Sequence, residues 1–566
     1  MHQFLIEDTF SIKNTPNKMS KISLDNYFRV SEFLGDFIAL NKGFHKYKKR
    51  TWHYKFNKKY SKEVYNGKIK IDFDLFSLDL SFSMVTELSH VGNAKEINLR
   101  CNSFLKDVSP LKDVEILDLS SCKNVIVVSA LKNVKILDLS RCDNIIDVSG
   151  LVNVEDLNLY RCKWVSDVSK LKKLKKLNIY GLENIKDVSP LINLEELNIT
   201  SCHMISDVST LIKLRKLNLE DCGDVKDISN LINLEELKVS NNHNISDMST
   251  LKKMKKLYIE NCKNVGDIID LPELEDLDVS WCAKIFNISN LSKLRNLKIH
   301  DCTVENISGL QSLQKAEIRH CPMLNDIFGL EGTEDVTIRD YDVFGLEDVD
   351  TLRFTKKIYI SYTNVGELSY LQNVVSLSLD NCENIKGLHH LEKLKELTLN
   401  HCKYLYDLSG LDSLEKLKLV NCRHLRTISN FTNLKKLKIM ELTKIKNIPE
   451  FTNLEELILC NCHSIVSINE SKNIEFLKVE KCDGLTEISD LGKLEKLILT
   501  GCRNVTHVSN IDNLLSLEMY KCDNFKDISY LGYVKHITLG ISSVAILSKG
   551  KNKAVFDKCM VKEIPF

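Results

Sequence analysis

LDLSRCDNIIDVSGL, residues 137–151, has a near copy in LDLSSCKNVIVVSAL from Leu117 and another in LNLEDCGDVKDISNL from Leu217. The cysteine keeps its place in each, and the copies are separated by multiples of 20 residues. Taking that position as a slot, slots fall every 20 residues from 102 to 302, then at 321, 341 and 363, then every 20 residues from 382 to 542. A degenerate opening turn with Ser83 in the slot brings the array to 24 turns. Self-similarity at a short fixed period marks a repeat array, which can occupy 566 residues without a domain boundary.

Counted from the slot, apolar residues stand at −8, −5, −3, +3, +6 and +9, with Asn frequent at +2, Asp at +5 and Ser at +7. The segment L-x-L alternates in and out, as a short strand must, and neighbouring turns stack such strands about 4.8 Å apart. One turn cannot bury its leucines; stacking does. The pattern L-x-x-L-x-L-x-x-N/C resembles leucine-rich repeats at the short end of their period. It predicts an α/β solenoid, a leucine-rich repeat horseshoe with a parallel concave β-sheet, built from residues 71–542. A tail over residues 1–20, a small helical domain over 21–70 and a C-terminal cap over 543–566 complete the expected organisation.

Sixteen slots hold cysteine: Cys122, Cys142, Cys162, Cys202, Cys222, Cys262, Cys282, Cys302, Cys321, Cys382, Cys402, Cys422, Cys462, Cys482, Cys502 and Cys522. A small side chain with a weak S–H donor suits an inward position where the strand ends and backbone carbonyls lack ladder partners. Asn102, Asn242, Thr363 and Ser542 are short donors too, whereas Leu182, Tyr341 and Leu442 give up the hydrogen bond. A structural zinc site wants paired cysteines at close spacing, and only Cys460 and Cys462 approach it, one expected outward and one inward. Reduced, buried thiols are expected, with no metal and no cofactor. Disulfides between successive slots fit a parallel ladder poorly.

Charged residues make up 27% of the chain, hydrophobic residues 43%, and the net charge is +1. No global field therefore steers the protein toward nucleic acid or acidic lipid. The start MHQFLIEDTF lacks the basic and apolar layout of an export signal, and no apolar run reaches the roughly 18 residues of a membrane span. A cytoplasmic or nuclear protein is expected. At −7 and −6 the sign of charge flips from turn to turn, as in Glu155-Asp156, Lys175-Lys176, Glu195-Glu196 and Arg215-Lys216. Each acidic pair is thus expected between basic neighbours. On this reading KLKKLKKL at 170–177 is one rung of a solvated face rather than a targeting or membrane signal.

Two stretches carry a closer resemblance. CDNIID at 142–147, CHMISD at 202–207 and CDGLTEIS at 482–489 resemble the cysteine-containing repeats of F-box proteins, with turns about six residues shorter that leave no room for a convex-side helix. The short D-I-S-x-L backs equally resemble internalins and phosphatase-regulator repeats. Ile22–Tyr47, ISLDNYFRVSEFLGDFIALNKGFHKY, places Leu24, Phe28, Phe33, Leu34, Phe37, Leu40 and Phe44 at helical spacings, with Asp36 able to cap a second helix. This layout is similar to an F-box, although the proline that usually follows the leading leucine is missing. The resemblance implies docking to a Skp-family adaptor and a cullin. The alternative is a helical cap over the first hydrophobic face of the solenoid. The basic run from Lys46 to Lys70, with Trp52, Tyr54 and Tyr60, is taken as a solvated face without a stacking platform for nucleic acid.

No phosphate-cradling glycine loop, H-E-x-x-H or G-x-S-x-G occurs, so no catalytic residues are assigned. Function is expected on a surface. Positions −4, −2, −1 and +1 should face outward on the concave side, where Arg and aromatic residues make recognition contacts. Large side chains gather in two areas: Arg141, Tyr160, Arg161 and Tyr180, and then Trp281, His300, Arg319, His320, Arg339, Tyr359 and Tyr362. Two readings follow. One is a substrate-recognition subunit of a cullin-type ubiquitin ligase; the other is a non-enzymatic scaffold or inhibitor binding a protein partner. A third, an extracellular adhesin of the internalin type, would require an export signal.

Overall fold

In the L-D-L of residues 137–139 both leucines leave an extended chain on the same side, and in the computed structural model both are buried (1% and 0% exposed) while Asp138 between them faces outward. The structure describes residues 54–56 and 58–66, then 76–540 with short gaps, and 560–564. Slots 341, 363 and 542 fall in the gaps, and the described repeats form a parallel β-solenoid of about 21 turns of roughly 20 residues. The chain divides into two compact units, the first reaching Leu274 and including Trp281–Lys284, the second formed by Glu275–Ser280 and the residues from Ile285 on.

In the first unit, strand Tyr54–Phe56 pairs in parallel with Phe76–Asp79, and the helix Lys58–Tyr65 lies against that strand. Ser61 and Val64 are buried there, and Ser61 Oγ accepts the Asp79 N–H at 2.8 Å. Leu24, Phe28, Phe33, Leu34, Phe37, Leu40 and Phe44 lie outside the described residues. In the second unit the strand Met560–Ile564 pairs in parallel with His536–Gly540.

Strand length follows the residue at −4. Six early strands stop after three residues, among them Ile116–Asp118, Ile136–Asp138 and Asp156–Asn158. Each ends on Asn or Asp, whose Oδ1 accepts the N–H at −2: Asp118 from Ser120 at 2.8 Å, Asp138 from Ser140 at 2.7 Å, Asn158 from Tyr160 at 3.1 Å. In a regular parallel ladder that N–H would bond the carbonyl at −3 of the preceding turn. Here the slot thiol reaches the carbonyl instead. Cys122 Sγ donates to Leu99 O at 3.1 Å, Cys142 to Leu119 O at 3.0 Å and Cys162 to Leu139 O at 2.9 Å.

From Lys216–Glu220 onward the strands of the main sheet run five residues, and most carry no Asn or Asp at −4. Cys222 still lies 2.7 Å from Ile199 O, but in most later turns the thiol stands farther off and divides its donation. Cys422 Sγ lies 3.6 Å from both Leu399 O and Val420 O. Asn218 and Asp278 occupy −4 of five-residue strands, so the short-strand form needs more than that residue; nothing in the structure explains these two turns.

Across the turn, Asp at +5 accepts the N–H of Ser at +7, as Asp147 does from Ser149 at 2.8 Å, and this holds the Asp147 carboxyl below its usual range. Two asparagine ladders tie the backs together. At +2, Asn144 Nδ2 donates to Lys123 O at 2.7 Å; at −9, Asn153 Nδ2 donates to Lys132 O at 2.8 Å.

The sign-alternating pairs at −7 and −6 meet across rungs. Lys175 bonds Glu155 at 2.6 Å and Lys176 bonds Glu196 at 3.0 Å, while Glu235 lies between Arg215 at 2.7 Å and Lys255 at 2.9 Å. Exposed pairs contribute about 0–1 kcal/mol each. Glu235→Lys removes two of them and sets three cations in a row, so a loss of about 1–2 kcal/mol is expected at low salt. Denaturant titration in 1 M NaCl should recover most of it; a loss insensitive to salt would refute the register role.

Candidate functional site

At −1 the chain leaves the strand through a left-handed residue on nearly every described turn: Arg141 (φ 59°), Arg161 (φ 62°), Asn241 (φ 52°), Trp281 (φ 52°), His320 (φ 46°) and Tyr362 (φ 54°) among them. Asn, Asp and Gly recur at this position because they enter the left-handed region at least cost; Gly181 and Gly501 are the two glycines (φ 74° and 63°). The side chain at −1 therefore stands at the rim of the sheet rather than within it.

In the first unit, the Tyr160 ring lies between two guanidinium groups, Arg141 at 5.6 Å and Arg161 at 5.2 Å from its centroid. Tyr180 sits beside it at 5.0 Å, tilted by 55°. Among the described residues no carboxylate lies within ion-pair distance of either arginine. The four residues picked out by size thus form one contiguous group. Below it runs an open groove of about 460 Å³ over strands Asp156–Asn158 to Glu236–Ser240. Its floor is a column of amides, Asn158, Asn178, Asn198 and Asn218. Size-based reasoning passed over this column, although the repeated L-N-L carried the signal.

In the second unit, His300, Arg319, Arg339 and Ser361 are register partners on the strands Asn296–His300, Lys315–Arg319, Asp335–Arg339 and Lys357–Ser361. Arg319 bonds Glu317, and Glu317 Oε1 lies 3.9 Å from His300 Nε2. Arg339 Cζ stands 4.4 Å from the Tyr359 ring centroid, and Tyr359 Oη donates to Asp380 at 3.4 Å. Burial, with the Arg319 charge beside it, holds the His300 imidazole below its ordinary range and so neutral near pH 7. His320 turns aside from this group: its Nδ1 is 2.5 Å from Asp301 Oδ1. Tyr362 (41% exposed) stands at its rim turn. Trp281, in the first unit, is 54% exposed at its own rim turn.

The slot cysteines are buried and free of disulfides, and Cys460, expected to point outward, is buried as well (6% exposed). Cys460 stands at −2 of a five-residue strand, with Met440 and Glu480 as its register partners on the two adjacent strands. Burial pushes the Cys122 and Cys202 thiols up to about 11 and those of Cys162 and Cys222 up to about 12, which leaves them protonated and unreactive at neutral pH. Among the described residues no group of His, Cys, Asp and Glu is arranged to hold a metal ion, and no helix is long and apolar enough to cross a membrane.

Residues 209–337 match the family of RPS2-like plant disease resistance leucine-rich repeats. Among solved structures, the chain is similar to a leucine-rich repeat protein of Leptospira interrogans (20% identity, TM-score 0.43, covering 66% of this chain and 95% of that one). It is also similar to the internalin InlF of Listeria monocytogenes (17%, TM-score 0.26, 62% and 82%). A third is the functional domain of InlJ from the same organism, whose description includes a cysteine ladder (15%, TM-score 0.30, 71% and 74%). The sequence matches no curated protein. The described repeats form a parallel β-solenoid of the leucine-rich-repeat-like kind.

Proposed function

We propose that this solenoid is a protein-recognition array that binds through its concave face and rim and carries out no reaction of its own. One observation supports this most. At −1, where Asn, Asp and Gly recur, the chain keeps Arg141, Arg161, Trp281 and Tyr362 in the left-handed region. A bulky L-residue there costs on the order of 1–2 kcal/mol, and such strain persists where the side chain serves a purpose other than stability. Trp281→Asn is accordingly expected to leave stability unchanged or raise it by about 1 kcal/mol by relieving that strain. A fall in melting temperature would show that Trp281 is retained for packing instead.

Binding itself is tested with a photo-crosslinking benzoylphenylalanine at Tyr160 and, as a control, at Lys186 on the back of a turn. Protein adducts formed in host extract from position 160 and not from 186 support the concave face. Equal yields from both refute it.

A finer reading extends this to a cullin-type ubiquitin ligase, with Leu24, Phe28, Phe33, Leu34, Phe37, Leu40 and Phe44 docking the Skp-family adaptor and the solenoid holding the target. Its support is the sequence pattern of Ile22–Tyr47 alone. The full chain should co-purify with the adaptor and lose it on replacement of Phe33, Leu34 and Phe37 by aspartate. If these helices serve only as a cap, no association forms and their deletion aggregates the protein.

A further inference from the structure

The column His300, Arg319, Arg339 and Ser361 has a property that neighbouring columns lack. Each member carries a buried polar atom with no hydrogen-bond partner: His300 Nε2, Arg319 Nε, Arg339 Nε and Ser361 Oγ. Half of all such side-chain atoms among the described residues fall on these four adjacent rungs, the others being Thr333, Thr351, Thr355 and Asn400. A buried donor without a partner is destabilising, so a native chain retains several at one place when something else completes them.

All four groups can donate, and they stand on strands in register, spaced about 4.8 Å apart. The arrangement is held in place before any ligand arrives. Arg339 is stacked on Tyr359, which Asp380 anchors, and Arg319 is clamped by Glu317. Such a row of donors is complementary to an anion.

Charge decides which anion. The two guanidinium groups carry two positive charges, Glu317 returns one, and no carboxylate among the described residues pairs with Arg339. His300, which faces Glu317, Arg319, Asp278 and Lys298, is neutral near pH 7. The net charge of about +1 matches a carboxylate. A phosphoryl dianion would leave the site negative and place Glu317 against it. The surroundings decide how that carboxylate is delivered. The column lies on an open strand face, and Arg319 and Glu317 keep 38% and 15% of their side chains in solvent. A free small acid would be poorly enclosed there, whereas a polypeptide laid across the strands would cover the exposed guanidinium ends.

We propose that His300, Arg319, Arg339 and Ser361 form a carboxylate-binding site whose occupant is an aspartate or glutamate side chain of a polypeptide partner. The proposal rests on the protein-recognition reading and names the chemistry one part of that surface selects.

The test uses fluorescein-labelled, C-amidated 12-residue peptides alternating serine with glutamate, with glutamine, or with phosphoserine, titrated against the full chain by anisotropy. The glutamate peptide should bind at least 10-fold more tightly than the glutamine peptide. Arg339→Gln and Arg319→Gln should each remove most of that preference, while Lys186→Gln on the back of a turn should not. Arg339→Gln should also leave the melting temperature unchanged or raise it, because it removes an unpartnered buried donor; a purely structural arginine would lower it. Equal binding of glutamate and glutamine peptides, or a preference that survives both Arg339→Gln and Arg319→Gln, overturns the proposal. So does binding of the phosphoserine peptide alone. These outcomes are independent of crosslinking at Tyr160, so the site can fail while the recognition array stands.

Discussion

Raised from pH 8 to pH 11 under reducing conditions, the early turns are expected to lose ordered structure cooperatively, well before their neutral-pH stability would suggest. Cys122, Cys142, Cys162, Cys202 and Cys222 are each 0% exposed, and burial raises every one of their thiols, from the ordinary 9.0 to about 11 for Cys122 and Cys202 and about 12 for Cys162 and Cys222. The sign follows from proton uptake. Above pH 9 the unfolded thiols ionise while the folded ones hold their protons, so the folded state binds more protons and stability falls as pH rises. Below pH 9 both states are protonated and the contribution is complete. Between pH 9 and the folded values each thiol removes about 1.4 kcal/mol per pH unit. Five acting together remove on the order of 7 kcal/mol by pH 10, comparable with the whole margin of an ordinary domain. Circular dichroism through the titration, with maleimide labelling of the released thiols, reads the transition. Replacing Cys142 and Cys162 by alanine should shift its midpoint to higher pH although both changes weaken the protein at neutral pH. A midpoint unmoved by these substitutions would show that lysine and tyrosine ionisation, not the thiols, governs the alkaline limit.

Replacing Asn102 by alanine is expected to cost about 3–5 kcal/mol, concentrated in the first turns. Its amide is buried with both ends engaged. Nδ2 donates to Leu80 O at 2.9 Å and Leu99 O at 2.7 Å, and Oδ1 accepts from Ser83 N at 3.2 Å and Val85 N at 2.9 Å. Alanine leaves Leu80 O and Val85 N without these partners in fully buried residues, and Ser83 N without its own at a half-buried one. Because each turn contacts chiefly its neighbours, the damage should remain local. Hydrogen exchange at Leu78–Leu88 should accelerate sharply while amides beyond Cys142 keep their protection. Asn102→Cys, which restores the commonest slot residue, should recover little, since a thiol is a poor acceptor for two N–H groups. Undiminished protection in Asn102→Ala would mean that the opening turn is held by packing alone.

Asn102 also shows where the sequence was legible and where it was not. Its class was readable, a short donor in a slot, but the side of the slot each end would serve was not. Asn242, in an equivalent slot, donates to Cys222 O and Val225 O of the preceding turn and accepts from its own Asn244 and Ile245 N–H groups, a different arrangement from the same residue type. The same limit applies to the binding surface. Arg141, Tyr160, Arg161 and Tyr180 could be grouped from spacing, since equal repeat positions stack. The separation of His320 toward Asp301, away from Arg319 and Arg339, depended on the left-handed turn at −1, which adjacent residue numbers do not reveal.

The sequence by itself determined the period, the inward residues and the alternation of charge between rungs, because a 20-residue cycle must return each leucine to the same wall of the solenoid. Only the tertiary structure decided which carbonyl each thiol serves, how far each strand runs beyond −4, and which donors on the strand columns remain unpartnered. Those depend on hydrogen-bond competition between one turn and the next: an N–H taken by Asp118 or Asp138 is lost to the neighbouring ladder, and neither the donor nor its rival declares the winner until the turns are stacked.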